Sequence, residues 1–278
     1  MSTPARPSEA SAAARGAIRA PRRPFPLLGA YVALVCLVLV LPLAVVLVIS
    51  FDTASYINFP PQGFHLQWYR SLPDNATFAR SFANSLIVAG ASTALSVLAG
   101  VPAALAIARG RFRGRGLLYG LCLSSLTVPW IVYGVALLFV WGFLGLRLSI
   151  WTLIFGHTVI GAPYVLRTAV AVLRDMPAAY ERGARSLGAG PLRAFLTVTL
   201  PLMAPGIRAG AAFAFIISFV NIPVSLFVTT AENITMPVAV FNYMQYNFDP
   251  SVAAFSILQL VVIGLFIGFA ARAARQEA

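Results

Sequence analysis

Charge-free apolar runs long enough to cross a lipid bilayer recur along this chain, and they leave few folds open to it. They extend from Leu27 to Ser50, Ser81 to Ala108, Leu117 to Leu146, Leu148 to Leu166, Ala209 to Ala231 and Pro250 to Ala271. A hydrocarbon core of ~30 Å takes ~20 apolar residues per helix, and a chain in lipid must pair its backbone polar groups within itself. The sequence therefore predicts six membrane-spanning helices and an all-α integral membrane fold. Charged residues are only 10% of the chain, against roughly 25% in soluble domains. The third run is too long for one straight span, and Pro129 inside it is expected to mark a kink or a shifted start rather than an extra helix.

Orientation is read from arginine, because the chain has twenty arginines and no lysine. Arg6, Arg15, Arg19, Arg22 and Arg23 precede the first run; Arg109, Arg111, Arg113 and Arg115 follow the second; Arg174, Arg182, Arg185 and Arg193 follow the fourth. The alternate loops are poor in base: 51–80 sets Arg70 and Arg80 against Asp52 and Asp74, and 232–249 holds Glu232 and Asp249 alone. The positive-inside rule then puts both termini and the loop at 167–208 in the cytoplasm of a multi-pass membrane protein. The expected organisation is a disordered basic tail at 1–26, a first span at 27–50, an extracytoplasmic loop at 51–80, a five-helix core at 81–272 and a short tail at 273–278. The first apolar run, at 24 residues, exceeds a signal-peptide core of about 7–15 and reads as an uncleaved anchor.

Several function classes are excluded at this stage. A net charge of +12 suggests nucleic acid, but the arginines flank apolar spans with no recognition helix or stacking platform beside them, so topology and contact with anionic headgroups account for them. Cys36 and Cys122 lie singly within spans, and His65 and His157 are too far apart to form a ligand pair, so no metal site is expected. His157, beside Gly156 in the fourth run, is expected to make an interhelical hydrogen bond, with a pore-lining role as the alternative. All eight carboxylates lie in tails or loops, leaving no intramembrane acid relay. Without lysine there is no phosphate-cradling loop either, so the chain is not expected to hydrolyse ATP, and no cofactor is implied.

Between the fourth and fifth runs lies a polar stretch unlike the rest, ERGARSLGAGPLRAFLTVTLPLMAPG over residues 181–206. Pro177 presets a helix start, Ala178 to Leu187 favour helix, Gly188 and Gly190 can supply a left-handed turn, and Pro191 opens a second segment. Helix, turn, helix is thus expected over 178–198, with Pro201 and Pro205 breaking the chain before the fifth span. An amphipathic helix lying in headgroups, with Leu187, Leu192, Phe195 and Leu196 dipping into lipid, is the alternative. The stretch resembles the cytoplasmic loop of the integral-membrane subunits of ATP-binding-cassette importers: Glu-Ala-Ala, three residues, Gly, nine residues, Ile, one residue, Leu-Pro. Arg182, Gly183 and Ala184 stand at Glu-Ala-Ala, Gly188 at the glycine, Val198 at the isoleucine, and Leu200 and Pro201 at Leu-Pro. Arg182 and Gly183 depart from the pattern, and the nearest acid is Glu181.

This resemblance, which covers about Phe82 to Arg272 and includes Asn84-Ser85-Leu86, implies a type I importer permease of the bacterial inner membrane. Its expected partners are a second permease, identical or homologous, two cytoplasmic ATPases and an extracytoplasmic solute-binding protein. Glu181, Arg182, Gly183, Ala184, Leu187, Gly188, Leu200 and Pro201 would form the ATPase-coupling loop. Ser218-Phe219-Val220 and Thr235-Met236-Pro237 are similar to the Ser-Phe-Asp and Thr-Leu-Pro of spermidine and putrescine permeases, with Val220 in place of the acid. A polyamine or related amine is the implied solute, drawn by Asp52, Asp74, Glu232 and Asp249 at the outer mouth, by Trp130, Tyr133 and Tyr164, or by the partner permease. Asn221 and Pro223 interrupt the fifth span, and Ser218 and Ser225 fall on the face of Asn221, so this polar stripe is expected to line the pathway, with helix–helix packing as the alternative. Trp130, Tyr133 and Tyr164 are its aromatic candidates. A channel or carrier working alone, or a membrane scaffold whose loop binds a soluble partner, are the competing classes.

Overall fold

A computed structural model describes residues 26–275. The tail expected at 1–26, apart from Pro26, and the final residues 276–278 lie outside the described residues. The first element, α1 (Pro26–Ile49), is apolar on every face, as a helix surrounded by lipid requires. Its length of 24 residues corresponds to about 36 Å.

A loop then leads through α2 (Gln67–Ser71) to α3 (Ala76–Arg109). Asp52 organises the loop from a fully buried position. Its Oδ1 accepts the N–H groups of Ala54 and Gln62 at 3.1 and 2.9 Å, while its own carbonyl accepts the Trp68 indole N–H at 2.8 Å. Enclosure raises the carboxyl pKa, but the N–H groups of Ala54, Gln62, Thr53 and Gly63 outweigh it and hold the group below its ordinary 3.8. A carboxylate depressed in the folded state stabilises the loop fully above its unfolded pKa, and that stabilisation is lost as pH falls through the folded value. Trp68 emission is expected to stay constant from neutral pH down to about 4 and to change below it. In Asp52→Asn, which keeps the acceptor oxygen and removes the charge, that acid transition should disappear; its persistence would show that another group governs the loop.

The long α3 starts on an Asn75 cap whose Oδ1 accepts the N–H groups of Thr77 and Phe78 at 3.1 and 3.3 Å. Next come α4 (Arg115–Ser124), α5 (Trp130–Phe143) and α6 (Ile150–Asp175). The third apolar run is thus two helices, not one kinked span. Pro129 offers no N–H and biases Val128 away from the helical region. The hydroxyls of Ser124 and Thr127 bond the carbonyls of Leu121 and Ser124, both at 2.7 Å, satisfying the exposed ladder at the break. Among the described residues five helices are long and apolar enough to cross a membrane, and α5 is a shorter sixth.

After α6 the chain forms α7 (Ala179–Ser186), α8 (Pro191–Ala194), a π-helical turn (Phe195–Thr199) and α9 (Leu200–Phe219). Pro201 and Pro205 were expected to break this segment and do not. The wide turn, in which the Leu200 N–H reaches the Phe195 carbonyl, carries the chain into α9, and Pro201 occupies its first turn, where no N–H is needed. The break comes later, at Val220–Val224, before α10 (Ser225–Val228), so the run 209–231 is not one span. The chain ends with α11 (Met236–Met244) and α12 (Ser251–Arg275), the latter continuing into the region expected to be a tail.

The core is a close-packed trio of α3, α6 and α9, centred on Ala104, Val165, Ala169, Met203 and Ala214. A Cβ added at Gly210 would lie 2.6 Å from the Val165 Cα and 2.5 Å from the Thr168 Oγ1. Small residues let helices approach in this way where lipid offers no hydrophobic drive for association. At one end of the trio the Arg109 guanidinium donates to the Met176 carbonyl at 2.9 Å, placing the end of α3 beside the segment that leads into α7. At the other end Asn84 Nδ2 donates to the carbonyls of Glu232 and Ile234, and the Ser85 Oγ accepts the Met236 N–H.

Candidate functional site

The loop that follows α6 presents a helix with no buried residue, α7. Glu181 and Arg185 pair along it at 3.3 Å, worth a few tenths of a kcal/mol on an exposed face. Gly188 ends it with φ +88°. Its N–H reaches the Arg185 carbonyl at 3.0 Å and the Ala189 N–H reaches Ala184 at 3.1 Å, a Schellman closure whose left-handed position favours glycine. Gly190, with φ −64° and ψ 165°, is extended instead, so only one of the two glycines forms the expected left-handed turn. Arg182, Gly183 and Leu187 stay outward, and Tyr180, Leu187 and Leu192 form an apolar exposed surface at 55%, 91% and 69%. Ala184 is half-buried, while Leu200 and Pro201 lie beyond the π turn at the foot of α9. The arrangement is therefore one protruding helix, a fixed turn, and a continuous helical connection into the core.

At the far end of α9 the polar residues meet. His157 of α6 is buried, with Nδ1 2.7 Å from the Ser218 Oγ and Nε2 2.9 Å from the Ser225 Oγ. It bridges the two sides of the break in the interhelical role expected of it. The Ser92 hydroxyl of α3 donates to the Ser218 Oγ at 3.1 Å. Asn221 lies between the two serines in sequence; its Oδ1 accepts the Val224 N–H at 2.9 Å, and its buried Nδ2 has no hydrogen-bond partner among the described residues. The expected stripe is thus a hub gathered across a broken helix, not a row along an intact one. Val220, at the resembled family's aspartate position, is 42% exposed at the same break.

Ser92 was not singled out in the sequence, although Ser85, Ser92 and Ser96 are spaced by seven and four residues along one face of α3 and all are buried. Trp130 and Tyr133 pack beside the break against the cluster holding Val224 and Val228, and the Tyr133 hydroxyl donates to the Gly156 carbonyl at 3.3 Å. Tyr164, two turns along α6 from His157, stacks on Phe213 instead, with ring centroids 6.1 Å apart. Among the expected outer-mouth acids, Asp52 is buried in its own loop, and Asp249 is bonded to the hydroxyls of Tyr243 and Ser251. Asp74 and Glu232 are exposed.

Five apolar helices long enough to cross a membrane and a shorter sixth, with an exposed helix and turn between α6 and α9, are the elements of a membrane permease. The chain belongs to the family of binding-protein-dependent transport system inner membrane components, matched over residues 96–276. It is 29% identical over 235 residues to the spermidine/putrescine transport system permease protein PotC of Escherichia coli (strain K12), covering 84% of this chain and 88% of that protein. The putrescine transport system permease protein PotI of the same organism is 28% identical over 239 residues, covering 83% and 84%. The molybdenum transport system permease protein ModB of Mycobacterium bovis is 36% identical over 197 residues, 66% of this chain and 75% of that one. Among solved structures, a bacterial ABC transporter importing the acidic polysaccharide alginate superposes with TM-score 0.67 at 15% identity, covering 89% of this chain and 94% of that one. The MetNI methionine transporter in an inward-facing form gives 0.62 at 18% identity, covering 74% and 98%. The fold is that of type I ABC importer permeases, in a multi-pass protein of the inner membrane.

Proposed function

We propose that this chain is the permease subunit of an ATP-driven importer of a small amine-bearing solute, putrescine or spermidine first. The observation that carries the importer reading is α7, a helix closed by the left-handed turn at Gly188 in which no residue is buried. A helix without burial gains little from its own fold, so a soluble ATPase pair is the fitting partner for it, with Arg182, Gly183, Ala184 and Leu187 at the contact. ATP is hydrolysed by that partner. A second permease and an extracytoplasmic binding protein complete the assembly. Solute passes beside the break in α9, where Asn221 keeps an unpartnered donor. Non-helical backbone at membrane depth is tolerated where protein buries it or a polar cavity adjoins it. Ser218, Ser225, Trp130 and Tyr133 border that path.

The amine reading is supported by the polyamine relatives, which match over most of the chain. The 36% identity to a molybdenum permease, together with Val220 in place of a carboxylate, favours an oxyanion as the second reading. Affinity purification of the chain should bring down an ATPase; a chain that transports alone would remove the importer assignment. The binding protein encoded beside it should then be titrated calorimetrically with putrescine, spermidine, molybdate and a sugar. Heat from the amines alone is expected, and binding of molybdate or sugar without amine response would overturn the amine reading while leaving the importer architecture intact.

Orientation has its own measurement. Cysteines placed at Arg113 and Ser186 in a Cys36→Ser/Cys122→Ser background should react only with a reagent applied from the cytoplasm. One placed at the exposed Glu232 should become accessible only from outside, and labelling of Ser186 and Glu232 from one side would reject the six-crossing order.

A further inference from the structure

Two cavities share the same three helices. One, of ≈ 410 Å³, has largely apolar walls that include Ala103 of α3, Leu121 and Cys122 of α4, and Leu166 of α6. The other, of ≈ 260 Å³, is lined by Ile107 of α3, Arg115 and Tyr119 of α4, and Arg174 of α6. From Ala103 to Ile107 is about one turn, and from Leu166 to Arg174 about two. The basic cavity therefore lies beyond the apolar one, toward the Arg109 end of the bundle.

The two guanidiniums are not committed to acids. Arg174 lies over the Tyr119 ring, 5.6 Å from its centroid, and Arg115 Nη1 donates to the Gly110 carbonyl at 3.3 Å. Neither forms an ion pair among the described residues, and Asp175, next to Arg174, is exposed. Meanwhile α4 contributes no buried residue to the bundle. A free anion would satisfy the arginines and leave the groove empty of partners; a neutral hydrocarbon would do the reverse. One class of molecule uses both.

We propose that α3, α4 and α6 hold an anionic phospholipid, its phosphate between Arg115 and Arg174 and one acyl chain along the groove past Ala103 and Cys122. Basic pockets between membrane helices suit such headgroups, because two guanidiniums can each give a phosphate charge-assisted hydrogen bonds. The bound lipid would add to the packing of α4 on the core, where Tyr119, Cys122 and Leu123 are only partly buried.

The test uses the full chain in nanodiscs of phosphatidylcholine with or without phosphatidylglycerol, in a Cys36→Ser background. Maleimide labelling of Cys122 is expected to slow about tenfold when phosphatidylglycerol is present. Arg115→Gln/Arg174→Gln should remove that protection, whereas Arg111→Gln/Arg113→Gln, on exposed residues outside the pocket, should retain it. Native mass spectrometry should count one retained phosphatidylglycerol per chain, and Ala103→Trp, which fills the groove with the arginines intact, should lower its retention. Equal protection in both lipids, or protection unaffected by Arg115→Gln/Arg174→Gln, would overturn the proposal. So would equal protection by water-soluble glycerol phosphate, which would mark a simple anion site. Protection that appears only on assembly with a second permease would assign the groove to that subunit instead.

Discussion

Gly188→Val is expected to abolish solute uptake while leaving the chain inserted in the membrane. Gly188 sits at φ +88°, and a β-branched residue there costs about 1–2 kcal/mol. That cost is modest against the stability of the whole bundle, which is why insertion should survive. It is large for α7, which has no buried side chain to oppose a change of turn. The helix can relieve the strain by reorienting, and a reorientation carries Arg182, Ala184 and Leu187 away from any surface shaped to receive them. Uptake into proteoliposomes and recovery of the ATPase on affinity resin should both fall to background, with membrane expression near that of the parent. Full transport by the variant would show that this turn does not set the contact.

A second large effect is expected from Gly210→Leu, which acts on the bundle itself. The Val165 Cα and Thr168 Oγ1 already stand 2.6 and 2.5 Å from where its Cβ would be. Backbone cannot step aside as a flexible side chain can, so α6 and α9 must separate. Overpacking costs about 1–3 kcal/mol and more where a helix has to move. The thermal midpoint of the purified chain in detergent should drop by on the order of 5 °C or more, with loss of a single size-exclusion peak. Gly264→Leu is the matching control, since nothing lies within 4 Å of its added Cβ, and it should leave the midpoint unchanged. Equal effects at both positions would mean that the loss reflects added bulk in lipid rather than the contact with Val165.

The crossings were legible because lipid imposes one strong rule on composition, and the runs around α1, α3, α6 and α12 obey it throughout. Where helices end inside apolar sequence, composition is silent. The break after Ser124 rests on two hydroxyls bonding back to carbonyls, and Leu126 and Val128 within it look like any other membrane residues. Proline misled in the opposite sense at Pro201, because a π turn ahead of it absorbs the missing donor. The turn at Gly188 was readable from local chemistry alone. Convergence on His157 was not: the histidine declared a need for a partner, but Ser218, Ser225 and Ser92 come from 61 or more residues away, and only the packing of α3, α6 and α9 selects them. Asp52 was misjudged for a related reason, since a loop acid looks solvent-facing until its backbone donors are known.

The π turn at Phe195–Thr199 also fixes a phase. Each residue of an α-helix advances the azimuth by about 100°, and a turn that holds one residue more than the α count offsets everything downstream by one such step. Buried Met203, Gly206, Gly210, Ala214 and Ser218 recur at intervals of three and four residues, so their common bearing toward α6 is referenced to that offset. Losing a single residue between Phe195 and Thr199 would leave hydropathy, the prolines and the span length almost untouched. It would nevertheless swing α7 and its turn by roughly a quarter of a revolution about the axis of α9, aiming a correctly folded arm in the wrong direction.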